Sequence, residues 1–269
     1  GESASNYTLA SSGQQETTTA SITPKEVTIS GITANNKVYD GTTAATINYT
    51  SATIQGMVSG DDLSIYTDFA SSNFADKNVG NNKTVTISSL LLTGIDAANY
   101  TVGSVTVTAN ITAKEVGLEW SNTELTYNGK AQKPTATATG LAGQDTCTVT
   151  VVGEQTNAGN NYTATAQSLS NSNYKLPENK TTAFKINKAS QTAPAAPTEA
   201  SKTINSITLN EIPNGEYKCD TGDWQTSPTF TGLTQNKTYT FRQRYAADAN
   251  HNASEGSEEA VIRTANHNL

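Results

Sequence analysis

Along most of this chain apolar residues recur at every second position, with threonine filling the gaps. Val105, Val107, Ala109 and Ile111 alternate with Thr106, Thr108 and Asn110; Val85 and Ile87 alternate with Thr84 and Thr86. Tyr162, Ala164 and Ala166 follow the same rule. A period of two puts successive side chains on opposite faces of a strand. These segments therefore predict strands with one apolar and one wet face, and no stretch sustains a helical period. Such strands form antiparallel sheets that pack as sandwiches. Near the C-terminus "SITLNEI" places Ile207 and Leu209 on one face. "TYTFRQRYAA" turns Tyr239, Phe241 and Tyr245 inward and Arg242 and Arg244 outward, and "AVIRT" reads as a closing strand.

The strand pattern repeats. Tyr39-Asp40-Gly41 matches Tyr127-Asn128-Gly129 at an offset of 88, and "NVGNNKTVTISSL" from Asn78 matches "NAGNNYTATAQSL" from Asn157 at 79. Asn99-Tyr100 matches Asn173-Tyr174 at 74. The order is kept while the offset shrinks, which is what loop shortening between copies of one fold produces. "SNYTLASSGQQETTTASITPKEV" from Ser5 parallels "ANYTVGSVTVTANITAKEV" from Ala98 and reads as the tail of a preceding copy. "NKASQTAPAAPTEASK" breaks the pattern and reads as a linker that is stiff but articulated.

The expected architecture is all-β: tandem small antiparallel β-sandwich (Ig-like) modules in an elongated array. Residues 1–25 are the last strands of a truncated module, 26–115 and 116–188 the two copies, and 189–201 the linker. Residues 202–265 form a third module and 266–269 a tail. The Asp-Gly and Asn-Gly steps, and "GNN" at 80–82 and 159–161, are expected as hairpin turns because Gly, Asn and Asp tolerate φ > 0 most cheaply. Each preceding tyrosine is expected to close the end of a core.

Composition narrows the function. Apolar residues make up 35% of the chain and charged residues 15%, while threonine alone contributes 45 positions. That profile suits half-solvated strands rather than a charge-rich disordered chain. A net charge of −7 and a pI near 4.9 argue against nucleic acid or anionic lipid as partner. No apolar run reaches the ~20 residues of a spanning helix. The chain reads as a piece of a longer polypeptide.

Residues with catalytic chemistry are sparse. His251 lies in a polar loop and His267 in the tail, neither with a partner at zinc-ligand spacing. Asp61-Asp62 lacks the spaced oxygen ligands of a calcium loop. Cys147 and Cys219 are 72 residues apart, and Cys147, alternating with Val149 and Val151, reads as a buried free thiol. Lys25, Lys114 and Lys188 fall at module junctions. No catalytic residue, metal or cofactor is expected. The candidates for ligand contact are Trp224, in the turn-rich "CDTGDWQTSP", and nearby Tyr217, because exposed aromatic faces stack on sugars. Set against that, Trp224 would cap the third core, and Trp120 would pack at the entry to the second copy.

The first copy resembles the YDG domain of bacterial surface proteins through "VYDGTTAA", "GDDL", "FADKNVGNNKTV" and "DAANYTV". The second resembles bacterial Ig-like MBG-type modules through "LTYNGKAQKPTAT", "NAGNNYTATA" and "NYKL". The third resembles a fibronectin type III module, with the spacing from Leu233 to Tyr239 of a tyrosine corner, but with Glu211 where such modules carry a core tryptophan. These resemblances imply tandem extracellular modules on a bacterial cell surface or wall, without catalytic residues. The expectation is a non-enzymatic stalk or adhesion segment that spaces a binding region from the envelope. The alternative is a set of carbohydrate-binding accessory modules of a larger secreted enzyme. Host or matrix glycan or protein is the expected partner class, with no nucleic acid and no membrane insertion. The chain should be a monomer, with strand pairing through residues 5–24 as its route to association.

Overall fold

The alternating segments fold as β-strands in the computed structural model, which describes residues 3–8, 10–13 and 17–266. The only helical turns among the described residues are single 3-10 turns at Ala4–Asn6 and Ala97–Asn99. The chain divides into two compact units, residues 1–114 and 115–269. The strands expected in residues 5–24 are absent from the described part of that segment, where residues 17–24 are exposed and carry no regular structure. A strand needs a neighbour to satisfy its ladder, and this segment pairs with none there.

In the first unit, strand Lys25–Ser30 runs parallel to Tyr100–Val102 and antiparallel to Thr53–Gln55. Facing it is a four-stranded sheet in the order Lys37–Val38, Val105–Thr112, Gly80–Ser88, Ser71–Phe74. Ile29, Ile32, Ile87 and Leu90 form the buried cluster, with Val85 and Ile111 also inside. A short ribbon, Ser64–Tyr66 against Leu91–Thr93, is added at one side.

The second unit begins with the same plan. Gly117–Ser121 pairs with Thr135–Thr139, and a four-stranded sheet runs Glu124–Thr126, Thr181–Asn187, Gly159–Leu169, Val149–Val152. The four strands occupy the same order as their sequence counterparts in the first copy. The core has been refilled, however. Val85 and Ile87 align with Ala164 and Ala166, all four fully buried, and Trp120 takes the register position of Ile29, each one residue before a serine paired to a threonine (Ser30–Thr53, Ser121–Thr135). Trp120 packs onto the Val151, Ala164, Phe184 and Ile186 cluster. Its expected place at the module entry is corrected: the ring fills the volume that the two alanines leave. In the first copy the same position carries Ile29, a smaller side chain buried in its own cluster.

The rest of the second unit holds two three-stranded sheets. One runs Glu199–Lys202, Ser206–Leu209, Thr229–Thr231; the other runs Gly215–Cys219, Thr238–Tyr245, Ala260–Arg263. Ile207, Leu209, Tyr217, Tyr239, Phe241 and Ile262 meet between them. The inward positions of Thr238–Tyr245 are Tyr239, Phe241 and Gln243, with Tyr245 half-buried. Buried Tyr217 fills the centre of this core, which lacks a tryptophan.

Two turn expectations are corrected. The Tyr-Asx-Gly steps are not hairpins. In each, the Asx Oδ1 accepts the N–H two residues on, Thr42 at 2.8 Å and Lys130 at 2.9 Å, with Gly41 and Gly129 at φ 81° and 77°. The strand before the turn lies at one edge of the four-stranded sheet. The segment after it bonds to the opposite edge, through Phe74 N–H to Thr43 O at 2.7 Å and the Gln132–Gln155 bridge. An Asx-Gly step specifies a left-handed residue, not which strands flank it. "GNN" is a β-bulge within a long strand. Four residues, Gly80 to Lys83, oppose three, Ile111 to Ala109; Gly159 to Tyr162 oppose Ile186 to Phe184 in the same way.

Candidate functional site: tyrosine clamps, an aromatic face and a docked joint

Four tyrosines hold turns by their hydroxyls. Tyr100 accepts the Val58 N–H at 3.0 Å and donates to Asp61, whose own N–H closes a turn back to Val58 O. Tyr174 repeats this with the Ala142 N–H and Asp145, both at 2.8 Å. Asp61, weighed as a calcium ligand, is thus the acceptor of a phenol, and that hydrogen bond raises the Tyr100 pKa. In the third region Tyr239 takes the Thr234 N–H at 2.8 Å, the corner expected from the Leu233 spacing, and Tyr217 takes the Ile212 N–H at 2.7 Å. Each satisfies a turn N–H that would otherwise be left without a partner. The clamp pairs Tyr100–Asp61 and Tyr174–Asp145 escaped sequence reading because tyrosine and aspartate lie 39 and 29 residues apart.

Tyr217, one of the two candidate ligand contacts, is 1% exposed in the third core and presents no face to solvent. Trp224 is half-buried on the outer face of the sheet formed by Gly215–Cys219 and Thr238–Tyr245. Arg244 and Lys218 lie over its ring at 4.5 and 5.2 Å. Arg244 is fixed by Glu216 at 2.7 Å, and Arg242 pairs with Glu259 at 3.1 Å. Trp224 therefore belongs to a charged outer face, where cations engage the ring quadrupole, rather than capping the core. Cys219 packs against that core; burial, then Asp220, push its thiol up to about 11. Cys147 is half-exposed in a cleft with Pro134, Val149 and Val151, and both thiols are free.

The residues expected to form a linker are tied down. Ala189 bridges to His251, with Ala189 N–H to Asn250 O and Asn252 N–H to Ala189 O both at 2.9 Å. Gln191 Nε2 reaches the carbonyls of Ala246 and Asn252, and Ala195 O accepts from buried Gln243. The loop "DANHN" in turn docks on the end of the second copy. Asn250 Oδ1 accepts the Ala158 N–H at 2.9 Å, its amide nitrogen donates to Asn157 Oδ1 at 3.2 Å, and Lys188 Nζ donates to Asp248 O at 2.5 Å. The His251 ring stands edge-on to Tyr127 at 5.1 Å and contacts the Asp248 carboxylate at 3.0 Å. The His251 ring bond, then the Asn250 N–H, hold the Asp248 carboxyl below its usual range. His251 is thus part of a joint between neighbouring sandwiches. His267 lies outside the described residues.

These sheets define the class: an all-β chain of Ig- and fibronectin III-like sandwiches. Residues 23–109 match the family model of the YDG domain. No curated protein matches the chain. Among solved structures, the chicken CNTN1 FN1–FN3 domains align over 90% of this chain and 98% of theirs, at 13% identity and a TM-score of 0.24.

Proposed function

We propose that this chain is a non-catalytic stalk or adhesion segment of a bacterial cell-surface protein, spacing a binding region from the envelope. The observation that carries the reading is the docked joint. Where a flexible tether would suffice to connect two domains, the Asp248–Asn252 loop, Lys188 and Asn157–Ala158 exchange several hydrogen bonds. Fixing both backbone and side chains there costs conformational entropy, which serves a spacer and gains nothing for independent domains. The sequence resemblance of the second copy to MBG-type modules and the acidic, threonine-rich surface support the same reading.

The test has two arms. Spin labels at positions 180 and 235 of the full chain should give one narrow distance distribution; a broad one, as from a free linker, would sink the spacer. A glycan and matrix-protein array should be blank, or retain any hit in Trp224→Ala. A specific sugar hit lost in that variant would replace this reading with the carbohydrate-binding alternative.

A further inference from the structure

We infer that the two tandem copies are tensile clamps, built so that a pull on the chain ends shears parallel ladders. The purpose of this property rests on the spacer reading; the property itself does not.

The argument lies in strand direction. In the first copy the opening segment touches the closing segment twice, both times in parallel. Lys25–Val27 pairs with Tyr100–Val102, and Lys37–Val38 with Ile111–Thr112. In a parallel pair of first and last strands the chain ends leave from opposite ends of the ladder. A pull then loads all its hydrogen bonds together. In an antiparallel pair the chain ends leave side by side and the bonds open one after another. The tyrosine turn closes the parallel ladder, through Tyr39 N–H to Thr112 O at 2.8 Å, and Asn36 Oδ1 adds a bond from the Asn110 N–H at 2.7 Å.

The second copy keeps the device. Glu124–Thr126 runs parallel to Lys185–Asn187, and Tyr127 N–H donates to Asn187 O at 2.9 Å. Lys185 N–H donates to Thr123 O at 3.0 Å, and the Glu124 carboxylate takes both Lys185 Nζ and the Asn187 amide. The third region differs. Its first strand Glu199–Lys202 and last strand Ala260–Arg263 lie in separate sheets, each in antiparallel pairs. The segments just beyond them are joined by Ala265 N–H to Thr203 O. Load there passes through isolated bonds at Ala189, Ala195 and Thr203 and through side-chain packing, with no ladder between its first and last strands. The repeated Tyr-Asx-Gly step acquires a purpose: it ends the load-bearing ladder and carries the chain across to the far edge of the sheet.

Optical-tweezers unfolding of the full chain, held by terminal tags, tests this, because forced unfolding reads the unfolding barrier along the pulling direction. The region opening in each event is identified by its length gain. The third region should open first, and the two copies at higher force. Handles moved to positions 89 and 104, the adjacent ends of the antiparallel pair Gly80–Ser88 and Val105–Thr112, should lower the first copy's unfolding force by more than half. Terminal pulling of the same doubly substituted chain checks that it folds. Equal forces in the two geometries, or a third region that outlasts both copies, would overturn the inference. The spacer reading stands or falls separately, on the label distances.

Discussion

The two copies differ most instructively at the tyrosine that opens the Asx turn. Tyr39 is 2% exposed, with the Lys77 ammonium at 6.0 Å from its ring. Tyr127 occupies the same place before an equivalent Asx turn, yet stays half-buried even with the ring of His251 from the next sandwich against it. The ladder bond, the Asx turn and the bulge are common to both; what covers the ring is not. The backbone device is therefore intrinsic to the module, while the cover of the tyrosine ring differs from copy to copy. Differences between the copies elsewhere follow the same division. Core volume moves between Val85 and Ile87 with Ile29 in one copy and Ala164 and Ala166 with Trp120 in the other, and the Ser64–Tyr66 ribbon is added, without disturbing strand order.

The bulge gives the sharpest test of that division. A Cβ on Gly159 would stand 2.5 Å from the Tyr162 hydroxyl, and that phenol is held by the Asn157 carbonyl and by packing on Phe184. At Gly80 the nearest atoms are in the flexible Lys83 side chain at 3.3 Å. Gly159→Ala should cost about 1–3 kcal/mol by overpacking, and Gly80→Ala within about 0.5 kcal/mol. Urea unfolding followed by segment-resolved hydrogen exchange reads each copy separately. Equal costs would mean that the aligned bulges are not one structure carrying two side chains.

The clamp should fail alike in both copies. Tyr174→Phe leaves the Ala142 N–H and the Asp145 carboxylate without the phenol, and Tyr100→Phe does the same to Val58 and Asp61. Each should lose about 1–2 kcal/mol, with faster exchange confined to the clamped turn of its own copy. A loss in one copy only would show that the other turn is held by its backbone alone.

How far the sequence carried these conclusions depends on the range of the interaction. Alternation in Val85–Ile87 and Val105–Ile111 predicted both the strands and their buried faces, because a strand's faces follow from the pleat. The repeat was legible because both copies keep their landmarks in order. The hairpin reading of Tyr-Asx-Gly failed since the turn residues say nothing about a partner at the far edge of the sheet. Tyr217 and Trp224 were indistinguishable as exposed aromatics until register placed one in the core and the other on the outer face. The joint was hidden most completely: no short-range pattern links Asn250 to Ala158, 92 residues apart.

Acid should separate the copies because one turn titrates and the other does not. Partial burial raises the Asp40 carboxyl, but the Lys37 ammonium and the Thr42 N–H and hydroxyl outweigh it and bring it to about 2. Its folded pKa lies below its ordinary 3.8, so its contribution is complete above about 4 and is lost as the pH falls towards 2. Asp40 is half exposed, so the contribution is at most about 1 kcal/mol. Asn128, at the equivalent position, cannot titrate. Between pH 5 and 2 the first turn should therefore weaken more than the second, and Asp40→Asn should abolish the difference. If the difference survives that substitution, another carboxylate is its source.

The smallest effect on stability belongs to the joint, and it bears most directly on the comparison. His251→Ala removes the edge-on contact with Tyr127. Asn250→Asp removes the amide donor and sets a carboxylate against Asn157 Oδ1, 3.2 Å from the atom it replaces. Neither change touches a core, so the melting of each sandwich should stay within about 0.5 kcal/mol of the parent. The label distance between positions 180 and 235 should nevertheless broaden, more for Asn250→Asp, because the donation to Asn157 Oδ1 becomes a repulsion even though the acceptor for the Ala158 N–H is kept. A distribution that stays narrow in both variants would assign the stiffness to Ala189, whose backbone bonds to Asn250 and Asn252 are indifferent to side chains. Tyr127 would then owe its cover by His251 to a joint already fixed, and would not itself be part of what fixes it.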